Sequence, residues 1–178
     1  FKQAPTIDGK VEPGEWRGAV QVTGLRSQQS NPPWTAMVDR MATVYCGYSE
    51  ERLYVAVISE LPPNQVLTSK KRGRDSNQMV FDSSIEIWTA PYRQTPDGPK
   101  VGRDYFQFIV NSHGNILDTG FIGGEPSPGW NADWEIANAI QTDPEGPGWM
   151  KMNGVWVAEI SVPFKDLGVE GSPVDTLM

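Results

Sequence analysis

The sequence predicts an all-β sandwich, and three observations carry that prediction. Segments of six to nine residues rich in Val, Ile, Phe, Tyr and Trp recur along the chain with period-two alternation. Turn signals separate them, supplied by 18 glycines and 15 prolines in 178 residues. No segment sustains the 3.6-residue periodicity of a long amphipathic helix.

The elements follow in order. Residues 5–16, Pro-Thr-Ile-Asp-Gly-Lys-Val-Glu-Pro-Gly-Glu-Trp, read as a turn and a short helical turn. Ala19–Leu25 reads as a first strand, and residues 26–35 as a polar, Pro-rich loop. Ala42–Tyr48 and Leu53–Glu60 read as strands joined by Ser49-Glu50-Glu51-Arg52, a length that suits a hairpin. Leu53–Ile58 is apolar on both faces, so it is expected to be a central strand. Residues 61–79 are polar, with a Lys70-Lys71-Arg72-Gly73-Arg74 run expected to be a solvated loop. Ser84–Thr89 reads as a strand, and Ala90–Gly102 as a long loop. Tyr105–Asn111 and Ile116–Phe121 form a hairpin around Ser112-His113-Gly114-Asn115. Residues 122–131 read as loop and Trp134–Ile140 as a strand, with its Ala-rich spacing leaving helix as the alternative. Trp149–Met152 and Val155–Val162 form a third hairpin over Asn153-Gly154, a strong two-residue turn signal. A short helical turn, Phe164-Lys165-Asp166-Leu167, stops at Gly168. The whole is expected to be one domain over 1–178.

Composition narrows the function. The formal charge of −7 disfavours nucleic acid and anionic membrane surfaces as partners, since both need basic patches. No run of 18 apolar residues spans a membrane. Cys46 is the only cysteine, so no intrachain disulfide forms; it is expected to be a small core residue.

Three strands share one design. In Ser84–Thr89, Ile85 and Ile87 are dry while Glu86 and Trp88 lie opposite. In Tyr105–Asn111, Phe106, Phe108 and Val110 are dry while Tyr105, Gln107 and Asn111 lie opposite. In Val155–Val162, Trp156, Ala158, Ile160 and Val162 share a face, while Glu159 and Ser161 take the other. If these strands share a sheet, its second face gathers Glu86, Trp88, Tyr105, Gln107, Asn111 and Glu159. Aromatic planes beside carboxylates and amides suit a sugar: the ring's apolar face packs on an aromatic, and its hydroxyls meet the polar groups. The alternative is an ordinary half-wet sheet surface.

Seven tryptophans are many for this length. Trp16 and Trp156 are expected as core anchors. Trp34, Trp130 and Trp134 lie in or beside loops, and Trp130-Asn131-Ala132-Asp133-Trp134 is the most suggestive run, with two indoles flanking polar side chains. Glu60, Asp75, Asp82, Asp97 and Asp104 are strand-end or loop acids of the kind that bind calcium, although no EF-hand-type spacing is present. His113, the only histidine, is expected to be a solvated turn residue. A haem site would need His113 with Met37, Met41 or Met79. A glycosidase would need Glu86 and Glu159 as a carboxylate pair at a suitable separation.

Five segments in order resemble the family 9 carbohydrate-binding modules and their relatives among sugar- and haem-binding β-sandwiches. They are Thr6-Ile7-Asp8-Gly9-Lys10 with Glu15-Trp16, then Leu53-Tyr54-Val55-Ala56-Val57, then Asp82-Ser83-Ser84-Ile85-Glu86-Ile87. Phe106-Gln107-Phe108-Ile109-Val110-Asn111-Ser112-His113-Gly114 and Trp156-Val157-Ala158-Glu159-Ile160-Ser161-Val162-Pro163-Phe164 complete the set. The resemblance implies a jelly-roll or immunoglobulin-like sandwich of two antiparallel sheets. It also implies an extracellular, secreted or periplasmic setting, often structural calcium, and sugar binding without catalysis as an appendage of a larger protein; with the acid cluster at the strand ends, it leads to the expectation of calcium at Glu60, Asp75 and Asp82. It maps binding roles onto Glu86 and Asn111. The chain departs from the family in carrying Ser49-Glu50 before Leu53-Tyr54, and Glu60 rather than Asp after that strand. The resemblance also calls for a strand beyond Gly168. Val169–Met178 lacks apolar alternation, so the chain is expected to be a fragment or to take a strand from elsewhere.

The leading expectation is therefore a non-catalytic module that binds a saccharide through Glu86, Trp88, Tyr105, Gln107, Asn111, Trp130, Asn131 and Trp134. The alternative is a structural or protein-interaction sandwich that has lost the sugar site.

Overall fold

A computed structural model describes residues 1–24, 41–61, 66–141 and 154–169. Trp34, Met37, the loop 26–35, the strand expected at 149–152, the turn residue Asn153 and the tail 171–178 lie outside the described residues.

Eleven strands are described: β1 (Val20–Val22), β2 (Ala42–Tyr48), β3 (Arg52–Glu60), β4 (Ser84–Thr89), β5 (Tyr92–Thr95), β6 (Gly98–Val101), β7 (Tyr105–Asn111), β8 (Ile116–Ile122), β9 (Glu125–Ser127), β10 (Glu135–Gln141) and β11 (Val155–Pro163). Helix among the described residues is limited to two 3-10 segments, Asn77–Phe81 and Phe164–Leu167. The described residues group into two compact units. One is drawn from Phe1–Tyr48, Tyr54–Leu67 and Ile136–Ile160, the other from Ser49–Leu53, Thr68–Glu135 and Ser161–Met178.

The strands form a five-stranded sheet ordered β1-β2-β3-β11-β10, a four-stranded sheet ordered β4-β7-β8-β9, and the two-stranded β5-β6. The continuous apolar runs of β3 and β11 take central positions, as such runs must. Tyr54, Val55, Ala56 and Val57 are buried, and so is every residue of β11. In the first unit, Trp16, Tyr54 and Ala56 nucleate a core against which Phe1, Ile7, Val11, Ala19 and Tyr45 pack.

One buried charge organises that core. Glu159 is fully buried, and its Oε2 accepts the backbone N–H groups of Asp8 at 3.0 Å, Gly9 at 2.8 Å and Lys10 at 3.2 Å. Its Oε1 accepts the indole N–H of Trp16 at 3.1 Å. Burial pushes the Glu159 carboxyl above its ordinary pKa, and the Gly9, Asp8 and Trp16 donors oppose that shift. Gly9 has φ +86 and lies against Ala139, so the turn that presents these N–H groups needs glycine there. Glu159 is therefore a structural anchor. It lies in the five-stranded sheet while Glu86 lies in the four-stranded one, so the two do not share a sheet face.

In the second unit, β4, β7 and β8 are antiparallel, with Trp88 opposite Gln107, Gln107 opposite Thr119, and Tyr105 opposite Phe121. The β7–β8 turn is Ser112-His113-Gly114, with Gly114 at φ +73 and its N–H bonded to Asn111 O at 2.8 Å. This is the three-residue hairpin loop that places glycine in the left-handed region. Two further hairpins replace the loops expected from sequence. β5 and β6 pair across Pro96-Asp97, and β8 and β9 pair across Gly123-Gly124, where both glycines have positive φ.

The Lys70–Arg74 run is a loop, exposed except at the half-buried Arg72, and its two arginines are paired. Arg72 grips Asp82 with Nε at 2.7 Å and Nη2 at 2.8 Å, and reaches Gln78 Oε1 at 2.7 Å. Arg74 donates to Asp118 at 2.8 Å and to Asn131 at 2.7 Å.

Candidate functional site

The four-stranded sheet has two unlike faces because its strands alternate. One face carries Ile85, Ile87, Phe106, Phe108, Val110, Asp118 and Gly120. Trp130 lies 4.9 Å from the Phe106 ring and 5.9 Å from the Phe108 ring, and Trp134 lies 5.1 Å from Phe108. Trp134 is buried and Trp130 half-buried on that side.

The other face carries Glu86 and Trp88 from β4, Tyr105, Gln107 and Ile109 from β7, and Leu117, Thr119 and Phe121 from β8. One end is covered: Met79 of the first 3-10 segment is fully buried and clusters with Ile109 and Leu117. The other end is open. Trp88 is 53% exposed, which leaves much of its indole available. Its ring lies 5.8 Å from Tyr105 and 5.7 Å from Phe121, and Tyr105 and Phe121 stack at 4.3 Å with planes 10° apart. Three rings from three adjacent strands thus form one continuous aromatic patch.

Glu86 borders the patch. Its Oε1 accepts Trp88 Nε1 at 2.8 Å and Gln107 Nε2 at 2.5 Å. Both bonds go to one oxygen, which fixes the carboxylate relative to the indole and leaves Oε2 without a hydrogen bond from the described residues. An exposed carboxylate pinned by two side-chain donors is preorganised to accept from a ligand hydroxyl or amine.

Of the eight residues expected to bind ligand, the structure brings four together: Glu86, Trp88, Tyr105 and Gln107. Asn111 belongs to the same face by alternation but is fully buried. Its amide donates to Lys70 O at 3.0 Å and Asp82 Oδ2 at 2.9 Å, and its carbonyl accepts from His113 N and Asn115 N. All its bonding capacity is spent holding the turn and the segment before β4. Trp130 and Trp134 sit on the opposite face, and Asn131 accepts from Arg74. Phe121 completes the patch and was not foreseen. Its signal was the β7–β8 register, which a three-residue turn sets so that Phe121 falls opposite Tyr105.

The acids expected to hold calcium do not suit it as arranged. Asp82 is 4% exposed at its side chain, and both its oxygens are taken by Arg72 and Asn111. The Arg72 guanidinium beside it, with help from Asn111, holds its carboxyl well below the usual carboxylate range. Asp75 accepts Asp118 N at 3.3 Å and lies 3.6 Å from Arg74, while Glu60 accepts Met41 N in the other unit. No group of three or more His, Cys, Asp or Glu that could hold a metal ion occurs among the described residues. His113 is exposed in its turn, Met41 is exposed, and Met79 is core.

No protein-family model matches this chain, and no curated protein sequence matches it. Solved structures do match its fold. A protein from Bacteroides uniformis ATCC 8492, provisionally assigned as carbohydrate-binding, aligns at a TM-score of 0.59 and 12% identity, covering 93% of this chain and 71% of that one. A family 9 carbohydrate-binding module from Caldicellulosiruptor kristjanssonii, solved with cellotriose, aligns at a TM-score of 0.52 and 14% identity. That match covers 90% of this chain and 64% of that one, so this chain spans less than two thirds of the module's length. The chain is an all-β sandwich with a fold like that of the family 9 modules, as the sequence segments implied.

Proposed function

We propose that this chain is a non-catalytic saccharide-binding module whose ligand rests on Trp88, Tyr105 and Phe121 and bonds to Glu86 and Gln107. The observation that carries the reading is the open aromatic patch beside a carboxylate pinned on one oxygen. A pyranose offers an apolar face to such a patch and hydroxyl donors to such an oxygen. The fold supports the reading, since the two structures reported above are described in terms of carbohydrate and one holds cellotriose. Binding without catalysis is supported by these two neighbours, both of which are described by what they bind. A module of this kind acts by holding a larger secreted or periplasmic protein on its polysaccharide.

The test is a glycan microarray followed by calorimetric titration of whichever sugars bind. Wild type is expected to bind at least one neutral oligosaccharide, with a blue shift of tryptophan emission as Trp88 is covered. Trp88→Ala is expected to lose that binding while keeping the wild-type circular dichroism spectrum. Full binding by Trp88→Ala would remove this face from the proposal.

A further inference from the structure

The polarity of the site goes further than the class of ligand. Trp88 Nε1 and one N–H of Gln107 Nε2 are directed to Glu86 Oε1, so the carboxylate is held in place with its Oε2 turned to a ligand. That oxygen is the face's one charged acceptor, beside the neutral Gln107 amide and the Tyr105 and Thr119 hydroxyls. Glu86 is also the only charged side chain that strand register assigns to this face between Ser84 and Phe121. The chain as a whole carries a net charge of −7. Around that negative charge lie three aromatic rings, which attract a cation on their π faces. The indole of Trp88 donates its N–H to the carboxylate, which pushes electron density toward the ring and strengthens that attraction.

A carboxylate fixed with one oxygen open, beside electron-rich rings, describes a receptor for an ammonium group. We infer that the face prefers amino sugars bearing a free ammonium over their neutral and N-acetylated counterparts. Glu86 Oε2 accepts from the ammonium, and Trp88 packs against the same ring carbon framework. This rests on the saccharide reading above and adds the charge of the preferred ligand. An N-acetyl group fares worse because it removes the positive charge and leaves Glu86 without an ion pair. Uronates fare worst, since they bring a second negative charge to Glu86.

The experiment uses a matched series on one β-1,4-linked backbone: cellotriose, the trimer of N-acetylglucosamine, and the trimer of glucosamine, with trilysine as a sugar-free cation. Titration at low salt and slightly acid pH is expected to rank the glucosamine trimer about fivefold tighter than cellotriose, the scale of one exposed ion pair with a cation–π contact. Glu86→Gln keeps an acceptor for Trp88 and Gln107 and is expected to bring the two within about twofold. Raising the salt to 0.5 M is expected to narrow the wild-type gap, since an exposed pair is screened. Cellotriose binding as tightly as the glucosamine trimer, or a gap that survives Glu86→Gln, overturns the inference while leaving saccharide binding in place. Trilysine binding as tightly as the glucosamine trimer also overturns it, because the face would then read charge without sugar. Binding by no member of the series at millimolar concentration, on a protein that also fails on the microarray, sinks the saccharide reading and this inference with it.

Discussion

The carboxylate of Glu159 accepts the indole N–H of Trp16 across 143 positions of sequence, at 3.1 Å and out of contact with water. The same carboxylate takes three backbone N–H groups from Asp8, Gly9 and Lys10. It thereby ties the N-terminal turn and Trp16 to the middle of β11. Two separate sequence segments, Thr6–Lys10 with Trp16 and Trp156–Phe164, turn out to be two halves of one hydrogen-bonded device.

Glu159→Ala is expected to destabilise the protein strongly. It leaves the buried Gly9 N–H and Trp16 indole N–H and the half-covered Asp8 N–H without this acceptor, while Lys10 N–H keeps Asp8 Oδ1, and a broken buried network costs about 3 kcal/mol or more. For a chain of this size that lowers Tm by roughly 10 °C. Trp16→Phe removes one donor and keeps an aromatic ring, so its loss is expected to be smaller. Thermal melts of the two variants check this, and a Tm for Glu159→Ala within a degree or two of wild type would refute the anchor.

Asp82 gives a pH prediction with a defined sign. Its carboxyl is held below the usual range by the Arg72 guanidinium and Asn111, so the folded state favours the ionised form. Such a group contributes its stability above the unfolded pKa, about 3.9 for Asp, and loses it as pH falls toward the lower folded value. The difference in denaturation midpoint between wild type and Asp82→Asn is therefore expected to be constant from pH 7 to 5 and to shrink below pH 4. Burial raises Glu159 and Asp118 alike in both proteins, and their contributions cancel in the difference. A gap that stays constant to pH 2.5 would contradict the pairing.

The strands were legible because alternation is a local property. Ser84–Thr89 and Tyr105–Asn111 were read to the residue, and with them Glu86, Trp88, Tyr105 and Gln107. The hairpins at Tyr92–Val101 and Ile122–Glu125 escaped notice despite Asp97-Gly98 and Gly123-Gly124. Their flanks, such as Arg93-Gln94-Thr95 and Glu125-Pro126-Ser127, carry no apolar face to mark a strand. Asn111 was misjudged because alternation gives the face of a residue and not what covers it; the chain around Lys70 and Asp82 closes over it. The side taken by Trp130 and Trp134 depends on the path of a loop, which no periodicity encodes. The solvated run at 70–74 was legible, but the pairing of Arg72 and Arg74 was not, because their partners, Asp82, Asp118 and Asn131, are fixed only by tertiary structure.

The aromatic patch predicts a contrast between two substitutions. Phe121→Ala removes the ring stacked on Tyr105 and is expected to weaken sugar binding about three- to tenfold, the scale of one aromatic pair. Trp134→Phe is expected to leave affinity unchanged, since Trp134 packs on Phe108 at the opposite face and its indole N–H has no protein partner among the described residues. Titration of both variants against the same oligosaccharide decides it. Equal losses would mean that the site extends to the other side of the sheet.

Gly120 tests the division of the sheet most directly, because it alternates between Thr119 and Phe121 on one strand. Its absent side chain faces Trp130: a Cβ there would lie 2.7 Å from the indole Cγ and Cδ2. That is closer than real side chains approach, so Gly120→Ala must push Trp130 off Phe106 and Phe108. Overpacking of this kind costs about 1–3 kcal/mol, or roughly 3–10 °C in Tm. The neighbours of Gly120 point the other way, toward Glu86 and Trp88. Below its lowered melting temperature, Gly120→Ala is therefore expected to bind the sugar with wild-type affinity. Melting and titration of one preparation separate the two effects. An unchanged Tm would mean that Trp130 does not pack against β8 as described. A loss of affinity as large as that of Phe121→Ala would mean that the two faces are not independent.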